Sequence, residues 1–183
     1  RTRDLFLIAD SVYDRIVFED DFPTLMGDAQ LRDRLIYVSA LSKSYAMTGV
    51  RVGYAAADAP VMAQMRKAHS FLVVSVPGCI QRGCMGAFEE DLTPMISAYR
   101  ARRDYVYHRL KKMGFDVRLP GGAFYIFPDV RKYGMTSEAF CNRLMHEGKL
   151  ALIPGECFAC EGFVRISYCY EFAQLEEGMN RLE

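Results

Sequence analysis

The chain has 183 residues, 51% of them hydrophobic and 25% charged, which is enough apolar material for one substantial core or two small ones. Its 23 Lys and Arg balance its 23 Asp and Glu, and a net charge of zero gives no reason to expect nucleic acid or an anionic membrane as partner. No apolar run approaches ~20 residues, so no segment is expected to span a bilayer.

The chain opens on Arg1, and the polar lead 1–4 runs straight into an apolar stretch with no signal-peptide layout. A chain that opens in the middle of an element is expected to have lost its start, and any targeting signal with it. Residues 5–8 form a short apolar run that suggests a buried strand delivering Asp10 at its C-terminal end. Residues 35–39 (LIYVS) and 52–57 (VGYAAA) are two more such runs. Buried strands separated by polar connections predict an α/β sheet. In open sheets of this kind ligands sit outside the carboxyl ends of the strands, where Asp10 and Lys43 both fall. A helix is predicted over 60–71, with Val61, Met65, Ala68 and Phe71 on one face, then a break at 75–78 and a further helix over 80–90.

Residues 94–113 predict a long charged helix closed by Gly114, carrying the chain into a second domain. Strands are predicted at 115–119 and 123–127 around Pro120-Gly121-Gly122, and again at 150–153 and 163–168. Helices are predicted over 137–148, capped by Thr136 or Ser137 and stopped by Gly148, and over 171–182. The expected division is 1–93 and 94–183, the second part being a small α+β domain.

Cys79, Cys84, Cys141, Cys157, Cys160 and Cys169 show no framework spacing and read as free thiols in a reducing compartment, with the cytoplasm as the expected location. Cys157 and Cys160 form a CxxC, a pattern of redox centres and of half zinc sites. With no second CxxC, and His146 lying outside the pair, structural thiols and no metal site are expected. His69, His108 and His146 lie on helical stretches and read as surface or core residues.

The most informative stretch is Ser39-Ala-Leu-Ser-Lys43-Ser-Tyr-Ala-Met-Thr-Gly49-Val-Arg51-Val-Gly53-Tyr. Lysine directly after a buried strand is unusual, because lysine is rarely buried without a task. Desolvation frees a lysine amine as a nucleophile, and such an amine forms a Schiff base with an aldehyde cofactor. Arg51, between Gly49 and Gly53, joins hydroxyls such as Ser39 and Ser42 in a set that suits a phosphate.

Ser42-Lys43, Thr48-Gly49, Arg51 and Gly53-Tyr54 resemble the signature of the class I/II aminotransferases of the fold type I pyridoxal-phosphate family. The resemblance implies that Lys43 holds the cofactor and that Arg51 binds its phosphate. Val50 stands where many members have a tryptophan. Ala40 stands where many place a phosphate-binding serine, so that contact passes to Ser39 or Ser42, or is absent. Asp10-Ser-Val-Tyr13 is similar to a second family motif, which implies that Asp10 pairs with the ring nitrogen and Tyr13 bonds the phenolic oxygen. A carboxylate keeps that nitrogen protonated, and the cationic ring draws electrons from the substrate. Gly162-Phe-Val-Arg165-Ile-Ser-Tyr168 resembles the family's C-terminal block, which implies that Arg165 grips the substrate α-carboxylate; the alternative is a structural salt bridge.

The resemblance covers almost the whole chain and the second half of the family. It implies the last part of a large cofactor-binding domain (mostly parallel sheet with helices) followed by the small domain, from a protein that is usually a homodimer. The implied reaction transfers an amino group between an amino acid and a 2-oxo acid through pyridoxamine phosphate, with the Lys43 amine as proton shuttle. A β-lyase of the same fold and a ligand-sensing domain of a regulator are the alternatives.

Overall fold

The structure, a computed structural model, describes residues 4–19 and 23–183. The first three residues of the expected polar lead therefore lie outside the described residues. The chain divides into two compact units, Arg1–Leu92 and Thr93–Glu183.

The first unit is built on three strands, β1 (Leu7–Asp10), β2 (Leu35–Ala40) and β3 (Gly53–Ala56), in the order β1-β2-β3. β1 runs parallel to β2, pairing Leu7 with Leu35 and Asp10 with Val38. β3 returns antiparallel, pairing Ala40 with Gly53. The apolar run predicted as strand over 5–8 thus pairs two residues later than expected. β2 begins at Leu35, so residues 5 and 6 have no partner on that strand, and Leu5, Phe6 and Ile8 are exposed. Along β2 burial alternates as the pleat requires, with Leu35, Tyr37 and Ser39 inward. Ile16, Phe18 and Leu41 complete this small core.

Helix α1 (Leu41–Ser44) follows β2 without a break, and a 3-10 turn at Thr48–Val50 leads into β3. Helix α2 (Ala59–Leu72) has Pro60 in its first turn, where a missing N–H costs nothing. Its predicted apolar face is only partly covered: Val61 and Met65 are half-buried, whereas Ala68 and Phe71 are exposed. The helix predicted over 80–90 starts earlier, as α3 (Gly78–Gly83), and tightens to 3-10 geometry over Cys84–Glu89.

The second unit opens with α4 (Thr93–Lys112). Its buried Tyr99, Arg103, Val106 and Leu110 recur at the spacing of one helical face. Gly114 ends it with φ +75°, its N–H bonded to Lys111 O and the Phe115 N–H to Leu110 O, the two-bond closure that a left-handed residue allows. The strand predicted over 115–119 does not form as a ladder: Asp116 makes a single bridge to Asp129. Phe115 and Val117 nonetheless point inward around an outward Asp116, so the segment has the pleat of a strand without the pairing.

Strands β4 (Tyr125–Ile126), β5 (Ile153–Pro154) and β6 (Val164–Ser167) form an antiparallel sheet in the order β4-β6-β5, all three shorter than predicted. α5 (Ser137–Arg143) is capped by the Thr136 hydroxyl, which accepts from Ala139 N, and runs into a π-helical turn over Leu144–Gly148. Lys149, not Gly148, takes the left-handed conformation that closes it. α6 (Phe172–Leu182) buries Leu175 and Met179. No helix among the described residues is long and apolar enough to cross a membrane.

Candidate active site

One end of the first sheet gathers most of the residues that the sequence singles out. β1 and β2 run parallel, so Asp10 and the β2–α1 junction emerge at the same end. β3 is antiparallel, so its start lies at that end too, and Arg51 immediately precedes it. The Leu41 N–H bonds Val52 O at 3.1 Å, which ties the first residue of α1 to the chain just after Arg51. Lys43 is the third residue of α1 and is half-buried. The exposed Asp10 carboxylate accepts from Val12 N at 3.3 Å, in the local turn that aspartate favours.

Arg51 has φ 59° and ψ 46°, a left-handed conformation that costs a non-glycine residue on the order of 1 kcal/mol. Its guanidinium donates from Nη1 to Thr48 O at 2.9 Å, so the backbone at this turn holds the arginine head in place. Ser42, next to Lys43 in sequence, is half-buried. Ser39 has a different placement from the one expected of a phosphate ligand. It is 3% exposed, and its hydroxyl donates to Ser11 O at 3.2 Å. Ser44, 2% exposed, donates to Val12 O, also at 3.2 Å. Each such bond contributes on the order of 0.5–1.5 kcal/mol. Below the site, Tyr37 donates to the Asp14 carboxylate; burial first, then that carboxylate, push its phenol up to about 12.

In the second unit, Arg165 lies on β6 with its side chain half-buried between two aromatic rings. Its Cζ is 4.5 Å from the centre of the Tyr125 ring and 4.4 Å from that of Phe158. β6 runs between β4, which carries Tyr125, and β5, whose following 3-10 turn (Gly155–Phe158) carries Phe158. Phe158 is itself braced edge-to-face by Phe127 at 5.7 Å. Each cation–ring contact contributes about 0.5–1 kcal/mol at an exposed site and more when desolvated. Among the described residues no carboxylate pairs with Arg165. The turn holding Phe158 requires glycine at 155: a Cβ there would lie 2.2 Å from Cys160 O and 2.5 Å from Phe163 O.

Three of these placements escape sequence reasoning. Ser44 gives no signal beyond following Lys43. Tyr125 sits inside the strand predicted over 123–127, and Phe158 inside the CxxC, but neither position announces an arginine partner. All six cysteines are free thiols, and burial pushes the Cys141 thiol up to about 11, with Cys157 adding a smaller upward effect. Among the described residues no His, Cys, Asp and Glu cluster has the makings of a metal site. Two open cavities, of ≈ 400 Å³ beside Arg32, Leu35 and Asp58 and of ≈ 450 Å³ beside Phe115, Tyr133 and Phe140, include none of the predicted site residues.

The family model for class I and II aminotransferases matches residues 1–182, and the chain belongs to that family. It is 36% identical over 183 residues to an aspartate aminotransferase of Thermotoga maritima, covering 100% of this chain and 48% of the relative. It is 33% identical over 189 residues to aromatic-amino-acid aminotransferase 2 of Thermococcus litoralis, covering 98% and 48%. The crystal structure of the Thermotoga maritima enzyme superposes with a TM-score of 0.93 over 99% of this chain and 48% of its own, at 36% identity. That of an aromatic aminotransferase from Pyrococcus horikoshii does so with a TM-score of 0.93 over 97% and 50%, at 34% identity. The chain thus spans about half the length of the relatives it matches. Its fold is α/β, that of the fold type I enzymes, whose cofactor is pyridoxal phosphate.

The residues present suit that cofactor. It offers an aldehyde, a phosphate, a cationic ring nitrogen and a phenolic oxygen. The sheet end offers an amine (Lys43), a hydroxyl (Ser42), a guanidinium (Arg51) and a carboxylate (Asp10), and the turn after β1 carries a phenol (Tyr13).

Proposed function

We propose that the whole protein is an aminotransferase that moves an amino group between an amino acid and a 2-oxo acid. The observation that carries this reading is the sheet geometry that sends Asp10, Lys43 and Arg51 out at one end. When bound, pyridoxal phosphate supplies an electrophilic aldehyde and a ring that withdraws electrons. Lys43 is the amine that would hold the cofactor at its aldehyde carbon, and its nitrogen would carry the proton taken from the substrate α-carbon. Asp10 keeps the ring nitrogen protonated, and two unit charges ~4 Å apart attract by ~4 kcal/mol at an effective dielectric of ~20. Tyr13 donates to the phenolic oxygen. Arg51 and Ser42 take the phosphate, while Ser39, turned inward to Ser11 O, is left out of that contact. Arg165, flanked by rings and with no carboxylate partner among the described residues, receives the substrate α-carboxylate along its N–H edge.

In this reading residues 1–93 are the last part of the large cofactor-binding domain and 94–183 are the small domain. A homodimer follows from the family's habit, and a cytoplasmic location from the free thiols. The test is to load the intact protein with pyridoxal phosphate, reduce with borohydride and map the labelled peptide. The label is expected on Lys43; a label on Lys67 or Lys132 instead overturns the assignment.

A further inference from the structure

We propose that Ser39 and Ser44 are positioning residues: a two-point pin that fixes residues 10–13 against Lys43. This deepens the reading above and rests on it for the roles of Lys43, Asp10 and Tyr13.

Neither serine is placed to meet a ligand. Ser39 is 3% and Ser44 2% exposed, and both hydroxyls donate inward. Their acceptors are consecutive carbonyls, Ser11 O and Val12 O, each at 3.2 Å. Those two peptide units lie between Asp10 and Tyr13, the two groups proposed to touch the cofactor ring. The donors bracket the lysine: Ser39 is on β2 before α1 begins, and Ser44 directly follows Lys43. The pin therefore joins the segment that carries the ring contacts to the segment that carries the amine, at two points rather than one.

A single bond leaves a short loop free to rotate about it, whereas two bonds to adjacent peptide units fix its orientation as well as its distance. The backbone alone supplies a different restraint. Ser11 N bonds Val38 O at 2.8 Å and so continues the β1–β2 ladder by one step. Asp14 N bonds Ser11 O at 3.1 Å and Ile16 N bonds Tyr13 O at 2.9 Å, which shape the turn from within. The Ser44 hydroxyl, by contrast, reaches Val12 O from α1, the element that carries Lys43. Catalytic groups on loops work when their supports hold them within about half an ångström of the productive geometry. Buried hydroxyls tied to main-chain carbonyls provide that support.

The test compares Ser39→Ala, Ser44→Ala, the double variant and Ser44→Cys in the intact protein. Ser70→Ala is the control, since the Ser70 hydroxyl bonds Lys67 O on an exposed helix. Two readouts are taken. Without cofactor, amide exchange at Asp14 and Ile16 is followed by hydrogen–deuterium exchange. With pyridoxal phosphate, the half-saturation, the absorption band of the bound cofactor and its pH midpoint are followed. Each alanine variant is expected to speed exchange at these two amides about fivefold, the loss of one ordinary hydrogen bond. Half-saturation is expected to rise by a similar factor, the pH midpoint to move, and kcat to fall more than KM rises. Ser44→Cys, close in size but a weak donor, should behave as the alanine does.

Unchanged local exchange and an unchanged cofactor band in the double variant overturn the proposal. So does faster exchange spread evenly through the first unit, which marks the serines as general packing. If the unsubstituted protein takes up no cofactor at Lys43, the reading of the site fails. The exchange measurement then still decides whether the serines hold residues 10–13.

Discussion

The two units divide the labour unevenly. The first holds every residue proposed to touch the cofactor, yet among its described residues only six apolar side chains are buried, against fourteen in the second. Its surface shows the reverse: Phe71 is 92% exposed, Leu72 80% and Val74 74%, and the β1 lead adds Leu5 and Phe6. Contiguous exposed apolar groups of this kind oppose solubility. The second unit encloses Val106, Leu110, Ile126, Val130, Val164 and Tyr168 almost completely and contributes one proposed substrate contact. Chemistry gathers where strands end and loops begin, and stability gathers where faces are covered. The open faces of the first unit are those of a part of the proposed large domain, since the chain spans about half the length of its relatives.

Substitutions at the two ends of that contrast should read differently. The largest effect is expected from Lys43→Ala in the intact protein: transamination falls by at least about 10⁴-fold, the upper range for loss of an acid–base group. Thermal stability should barely move, because Lys43 is only half-buried on a four-residue helix. A variant that retains steady turnover would end the proposed role. Next, residues 93–183 expressed alone should give a soluble domain with a cooperative melt, whereas residues 1–92 alone should aggregate. A well-behaved first unit and an unfolded second would reverse the contrast.

Arg165→Ala lies between these cases. Removing a charged two-point contact costs about 2–3 kcal/mol, so kcat/KM for the amino acid should fall about 100-fold, with cofactor half-saturation unchanged. If amino-acid and oxo-acid affinities both stay as they were, Arg165 serves only the packing of Tyr125 and Phe158. Gly155→Ala sharpens the other side. Its Cβ would meet two backbone oxygens that have no flexible end to move aside. Urea denaturation of the second unit should report a loss of about 3 kcal/mol.

The same division marks what was legible in the sequence. The order Asp10, Lys43, Arg51 and the motifs around them are local signals, and the strand ends that carry them were placed to within about two residues. Residues 115–118 alternate in and out as a strand does, but laddering depends on a neighbour, and among the described residues only Asp129 bridges to them. Phe71 looked like the end of a buried face because periodicity states which residues share a face, not whether anything covers it. From sequence Ser39 and Ser42 are equal candidates for the phosphate, since each brings a hydroxyl close to Lys43. The inward turn of Ser39 is decided by the Ser11 carbonyl, 28 residues away. The rings beside Arg165 come from strand order β4-β6-β5, which no spacing in the chain announces.

The smallest expected effect concerns pH and the second unit alone. Glu161 accepts from Ser137 N and from Ser137 Oγ, both at 2.7 Å, and so closes the start of α5. The hydroxyl first and the backbone N–H second pull its carboxyl below the ordinary 4.5, against a smaller upward push from burial. A carboxyl whose folded value is depressed adds stability that is fully present above its unfolded value. That contribution fades as pH drops below 4.5 and through the folded value. Glu161→Gln keeps the shape and one acceptor but cannot ionise. At pH 7 it should melt a few degrees lower than the parent, because the charge-assisted bonds at a helix start are weakened. Below pH 4.5 the gap should close as Glu161 in the parent becomes protonated. Asp129, held low mainly by its hydrogen bonds to Arg131, loses stability in the same direction. It does so equally in both proteins, so the difference between their melting curves isolates Glu161. A gap that stays constant from pH 7 down to pH 3 would show that the carboxylate's charge does not support α5.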